Sequence, residues 1–245
     1  MIDNKKLIIN IITPFPEMFS GIVDKSILLK SQEKGLVEYN FFNLFDFLSN
    51  SKDRIDDYPF GGGEGMILKA EPISNAIKNI MDNDGESRFI FASPDGKVFN
   101  QEIANELSNE KSLTFICGHY KGIDQRVRDN YVNDEYSIGD FVLTNGELPS
   151  MLMIDSIVRL KEGVLNNYDS ALKDSFSNDL LDGPHYTRPR VFNNFKVPEV
   201  LLSGNHKDIK EWFLKKRKEK TKNRRKDLWD KYKLKNRTKI GEKNG

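Results

Sequence analysis

Apolar positions change their period several times along the 245-residue chain. Residues 7–12 (LIINII) are a near-continuous apolar run, broken by Asn10 and closed by Pro14, as in a strand buried on both faces. From 17 to 34, Met18, Ile22, Val23 and Leu29 recur at helical spacing, and Gly35 supplies a stop. Residues 37–44 read as a second strand, and 49–66 as a long polar, glycine-rich loop. A short helix over 72–81 carries Ile73, Ala76, Ile77 and Ile80 on one face, with Pro72 near its start. Residues 88–92 (RFIFA) form a strand that ends in the turn Ser93-Pro94-Asp95-Gly96. A helix follows over 100–107, then a buried strand over 113–117 (LTFIC) that ends at Gly118. Residues 135–139 are a short extended piece, 141–143 a loop, and 148–161 a strongly apolar helix ended by Gly163. Strands alternating with helices predict an α/β fold, a parallel sheet with helices on both faces.

The pattern fades over 164–187, where Asn, Asp and Ser predominate. The domain boundary is placed near 163–175, dividing the chain into a sheet domain over 1–163, a flexible linker over 164–178 and a small helical domain over 179–245. In the last of these, Trp212, Phe213 and Leu214 open a segment of good helix formers. Leu228, Trp229, Tyr232 and Leu234 follow at roughly helical spacing, with fraying expected after about 236.

Charge changes this picture. The chain carries 38 Lys+Arg against 37 Asp+Glu, a net charge of +1. Residues 207–245 alone hold 17 Lys+Arg and 6 Asp+Glu, a net of +11, which leaves −10 on the first 206. An acidic body with a basic tail fits either a polyanion-binding appendage or a solvated tail, and the two tryptophans favour an ordered one. Cys117 is the single cysteine, so no intrachain disulfide or zinc ribbon is expected, and a reducing compartment, the cytoplasm, is the simplest setting. No apolar run reaches the ~18 residues of a membrane span, and none resembles a signal peptide.

The glycine run Gly61-Gly62-Gly63-Glu64-Gly65 is neither a Walker loop nor a dinucleotide fingerprint. No Lys-Ser/Thr pair follows it, and it lies after the second strand rather than the first. It reads as a close-approach loop or a flexible surface loop. The turns at 93–96, 118–122, 137–140 and 144–149 all follow strands, so glycine-bearing loops should converge beyond the strand carboxyl ends, where open α/β sheets bind ligands. Main-chain groups there would suit an adenine or a ribose.

PFPEMF, YPFGGGEGM, ASPDG, CGHYKGIDQR, YSIGDFVLTNGELP and LLDGPHYTRP stand in the order and spacing of the bacterial tRNA (guanine-N1)-methyltransferases that modify guanosine 37. The chain resembles this family over about residues 7–235. The resemblance implies a SPOUT-class catalytic domain with a deep trefoil knot at its C-terminal end, S-adenosylmethionine as methyl donor, tRNA as substrate, and a homodimer whose active site lies at the subunit interface. It also implies donor-binding residues. These are Phe91, Ala92, Ser93 and Pro94 in a first loop, Gly118 and Tyr120 in a second, and Ser137, Ile138, Gly139, Asp140, Phe141, Val142, Leu143, Gly146 and Pro149 in a third.

The family's base aligns with Asp174 and its essential arginine with Arg159. Asp174 would act on a donor held mainly by the other subunit, taking the N1 proton of guanine as the new bond forms. Arg159 would stabilise charge on O6 or orient Asp174. Ser175, Asp182, His185, Arg188, Arg217 and Arg224 are the expected substrate contacts. His119, Lys121, Asn145 and Glu64 depart from the family pattern. Lys121 reverses an expected carboxylate, which bears on any Mg²⁺ site, and no motif in the chain supports one. The catalytic pair is intact, so activity is expected.

The histidines His119, His185 and His206 lack ligand spacing, which points to positional roles and no bound metal. Cys117 reads as core. Two alternatives stay open: a SPOUT methyltransferase for another RNA position, and a non-catalytic RNA-binding relative.

Overall fold

The computed structural model describes residues 6–165, 174–176 and 178–241. Two compact units divide the chain, Met1–Tyr168 and Asp169–Gly245. Most of the expected linker, 166–173 and 177, lies outside the described residues.

The first unit holds a five-stranded, all-parallel sheet in the order β2-β1-β6-β5-β7. Its strands are β1 (Leu7–Thr13), β2 (Val37–Asn43), β5 (Arg88–Val98), β6 (Ser112–Ile116) and β7 (Asp134–Ser137). Alternation along β1 builds two cores. Leu7, Ile9 and Ile11 pack on one face with residues of α2 (Ser26–Glu33), α4 (Gln101–Leu107) and α6 (Glu147–Val158). Ile12 joins Ile116, Phe89 and Phe91 against α3 (Ala70–Asp84) and α5 (Gln125–Tyr131) on the other. Asn10, the polar break in the β1 run, is fully buried. It accepts from Asn40 Nδ2 at 3.1 Å and donates to Thr114 Oγ1 at 3.5 Å, so a polar rung crosses the sheet without an orphaned group.

The helix expected over 17–34 is broken into a 3₁₀ turn at Pro16–Phe19, α1 (Ser20–Val23) and α2, with Lys25 extended between them. Val23 and Leu28 are both buried, yet five residues apart they would stand about 140° apart on one continuous helix. The break turns both inward. The turn expected to end the strand at 93–96 is instead an excursion within β5. Ala92 and Lys97 both pair with Tyr136, and the strand resumes to Val98. The glycine-rich loop contains a two-stranded antiparallel pair, β3 (Asp56–Asp57) with β4 (Ile67–Leu68), so the glycines lie on the connection between them. Helix α5, seven residues long with Val127 as its buried residue, carries too little apolar signal to read from sequence.

The second unit is mainly helical. Helix α7 (His206–Arg224) begins six residues before Trp212, because Asn205 caps it by accepting from Lys207 N at 3.1 Å. Helix α8 (Lys226–Gly241) extends past the expected fraying point, and a small hairpin, β8 (Val191–Phe192) with β9 (Phe195–Lys196), precedes them.

Candidate functional site

Three loops in the first unit meet around one cavity of about 310 Å³. The first, 91–95, leaves β5 where its register shifts; the second, 118–122, follows β6; the third, 137–146, joins β7 to α6. The wall includes Phe91, Ala92, Ser93 and Pro94, then Gly118 and Tyr120, then Ser137, Ile138, Gly139, Phe141, Val142, Leu143, Gly146 and Pro149. Asp140 is exposed and is not part of it.

Close backbone contact shapes this cavity. A Cβ on Gly146 would stand 2.5 Å from the Gly118 nitrogen, and one on Gly96 would stand 2.6 Å from the Glu135 carbonyl carbon. Without those atoms, Gly146 N donates to Gly118 O at 2.7 Å and ties the third loop to the second.

Several lining residues carry no signal in the local sequence pattern. Arg128, on α5, lies 5.4 Å from the centre of the Phe91 ring and donates to Glu135 at 2.5 and 2.9 Å and to Asp95 at 2.8 Å. The hydrogen bonds to Glu135 lead in holding the Arg128 guanidinium charged, and the bond from Arg128 holds the Asp95 carboxyl below its usual range. Ser93 donates to the same Asp95 carboxylate. The Tyr136 hydroxyl is pushed up to about 12, first by burial and then by the Asp134 charge.

Lys121 also lines the cavity, and its amide donates to Met66 O at 3.0 Å, joining the second loop to the end of the glycine run. Glu147, the first residue of α6, is fully buried. It accepts from Thr13 Oγ1 at 2.6 Å and pairs with His119. Burial, then the Glu147 charge, pushes the neighbouring Cys117 thiol well up, which fits a core residue rather than a nucleophile. His119 and Tyr120 also face a second cavity of about 270 Å³, lined by Phe15, Phe45, Arg54 and Asp56 among others.

The two catalytic candidates belong to different units. Arg159 is half-buried at the C-terminal end of α6, its N–H donating to Asp155 O at 3.2 Å. Asp174, in the second unit, accepts from Ser175 N at 3.3 Å. Ser175 and Asp182 come together, with Asp182 N donating to Ser175 Oγ at 3.0 Å, and His185 Nε2 is 2.7 Å from Asp182 Oδ2. Burial alone would raise the Asp182 carboxyl, but hydrogen bonds from His185 and the Gly183 N–H outweigh it and hold it low. Arg217 Nε donates to Leu181 O at 3.2 Å and Lys220 Nζ to Asp182 O at 2.9 Å, fastening this segment to α7. Arg188 and Arg224 are exposed. Among the described residues no group of three His, Cys, Asp or Glu side chains is placed to hold a metal. No helix there is long and apolar enough to cross a membrane.

The family model described as tRNA (Guanine-1)-methyltransferase TrmD matches residues 7–231. A tRNA (guanine-N(1)-)-methyltransferase of Staphylococcus haemolyticus (strain JCSC1435) is 51% identical over 226 residues, covering 92% of each chain. One of Clostridioides difficile (strain 630) is 49% identical over 224 residues, covering 91% of this chain and 97% of its own. The crystal structure of tRNA (m1G37) methyltransferase from Aquifex aeolicus superposes with a TM-score of 0.75 at 37% identity, covering 92% of this chain and 96% of that one. A three-loop cavity at the carboxyl ends of a parallel sheet, followed by a basic helical unit, thus occurs in a chain that belongs to the tRNA (guanine-1)-methyltransferase family.

Proposed function

We propose that this protein transfers a methyl group from S-adenosylmethionine to N1 of guanosine 37 in tRNA. Methylation of tRNA guanine N1 follows from family membership; position 37, the donor, the residue roles and the dimer belong to our reading. One observation carries it: the cavity of about 310 Å³ at the strand ends is walled largely by glycine-bearing loops and apolar side chains, with Asp95, Lys121 and Arg128 as its charged residues. That lining suits a purine nucleoside held by main-chain hydrogen bonds, and the glycines at 118 and 146 let the loops that form it approach closely. When bound, S-adenosylmethionine supplies a methyl group already activated by its sulfonium.

The remaining work falls to the protein. Guanine N1 is a poor nucleophile while protonated, and Asp174 accepts its proton as the N–C bond forms. Arg159 stabilises the charge that builds on O6 or holds Asp174 in line. Asp174 serves a donor bound mainly by the other subunit of a homodimer, and the knot implied by the sequence resemblance supplies the bent donor site. The close approach of Gly146 to the backbone of Cys117 and Gly118 fits one loop passing tightly against another. Lys121 stands where the resemblance expects a carboxylate, and no Mg²⁺ is assigned. The second cavity, with aromatic walls and polar Arg54 and Asp56, has the character of an acceptor-base site. A cytoplasmic location fits a tRNA substrate.

The test uses tritiated S-adenosylmethionine and an unmodified tRNA transcript bearing G36-G37. Label should enter this transcript and not one with G37 replaced. Transfer to the replaced transcript redirects the reading to another position, and no transfer to either overturns it.

A further inference from the structure

A hairpin in the second unit takes no part in the proposed methyl transfer. Strands β8 and β9 pair across Asn193-Asn194, whose φ angles of 48° and 66° are both left-handed, as a two-residue type I′ connection needs and asparagine tolerates. Every residue from 185 to 196 is exposed; Phe192 is 64% and Phe195 78% accessible, with Val191 beside them at 50%. Three large apolar side chains within five residues at such exposure mark an interaction surface rather than chance scatter.

The register defines two faces. Phe192 pairs with Phe195 and Val191 with Lys196, while Val197 N donates to Arg190 O at 3.0 Å and extends the ladder by one step. Side chains alternate, so Arg190, Phe192 and Phe195 share one face, and Val191 and Lys196 share the other. Arg188, Arg190 and Lys196 are the charged residues of 185–196, and no Asp or Glu stands among them. Two rings beside a guanidinium, in a stretch of one charge sign, fit a polyanion that carries aromatic bases.

We infer that this hairpin contacts unpaired nucleotides of the tRNA. Phe192 and Phe195 offer faces on which bases stack, and Arg190, with Lys196 and Arg188 alongside, meets the flanking phosphates. Bases within a duplex are already stacked and offer no free face, so the contact is with a single-stranded stretch. This inference rests on the tRNA reading and narrows it to one element of the second unit.

The experiment measures binding of fluorescein-labelled, unmodified tRNA to the full-length protein by anisotropy, alongside methyl transfer. Phe192→Ala/Phe195→Ala should weaken binding about ten-fold, with kcat at saturating tRNA and the KM for S-adenosylmethionine unchanged. Phe192→Tyr/Phe195→Tyr keeps the rings and should bind as wild type does. Arg190→Ala should lower the slope of log affinity against log salt by about one. Equal binding by the alanine double variant and wild type overturns the inference. So does a fall in sedimentation coefficient from dimer to monomer, which would make the hairpin a contact between copies. Binding that depends on the hairpin in a protein that transfers no methyl group would leave the inference standing and sink the catalytic reading. Failure of wild type to bind tRNA sinks both.

Discussion

His119 Nε2 stands 2.9 and 3.0 Å from the two carboxylate oxygens of Glu147, a side chain with no solvent exposure. The contact joins the loop after β6 to the first turn of α6, and Thr13 at the end of β1 completes it with a 2.6 Å hydrogen bond. The end of β1, the loop after β6 and the start of α6 are thus held together by one buried acidic side chain. His119→Ala would leave that carboxylate buried without its largest partner and should destabilise the protein by about 3 kcal/mol. Glu147→Gln keeps shape and most contacts and should cost about 1 kcal/mol. Urea denaturation compares the two, and equal midpoints would show that the pair contributes nothing beyond packing.

Gly146→Ala places a methyl group 2.5 Å from backbone nitrogen at Gly118, where no side chain can yield. The third loop must move away from the second, so affinity for S-adenosylmethionine should fall at least ten-fold by calorimetry, with about 1–3 kcal/mol lost in stability. Gly21→Ala, with nothing within 4 Å and no unusual φ, is the control and should change neither.

Asp174→Ala should abolish methyl transfer while S-adenosylmethionine binds as before, because a proton acceptor is needed at guanine N1 and not at the donor. A large loss of donor affinity in the variant would reassign the residue to donor binding.

Acid should loosen the second unit through Asp182. Its carboxyl is held below the usual carboxylate value, with burial opposing and the His185 and Gly183 hydrogen bonds prevailing. A carboxyl lowered on folding stabilises the native state above its unfolded pKa, about 3.9, and that contribution disappears as pH falls through the lower folded value. Thermal unfolding followed by tryptophan fluorescence should therefore lose stability below about pH 4, and Asp182→Asn should flatten that part of the profile. Parallel profiles for the two proteins would remove Asp182 from the account.

Cys117 should resist Ellman's reagent in the native protein and react at once in 6 M guanidinium, since burial and the Glu147 charge both disfavour its thiolate. Fast native labelling would mean that the β6 end opens readily.

The alternating strand and helix pattern, the acidic body with its basic tail, and the motif order were all readable from residues alone, because they depend on period, composition and local turn chemistry. Those features located the three loops. They left out Arg128, whose importance comes from Glu135 and Asp95, residues supplied by another strand and by the β5 excursion. They gave Glu147 no role, since an acidic residue at a helix start reads as an ordinary first-turn carboxylate. Only the fold buries it between Thr13 and His119, 134 and 28 residues away. Nor could periodicity show that residues 93–96 interrupt a strand rather than end it; Tyr136 had to be in place to pair on both sides. Local sequence determines which segments can be strands, helices and loops. Which of them meet, and which charges they bury, is decided by packing between segments distant in the chain.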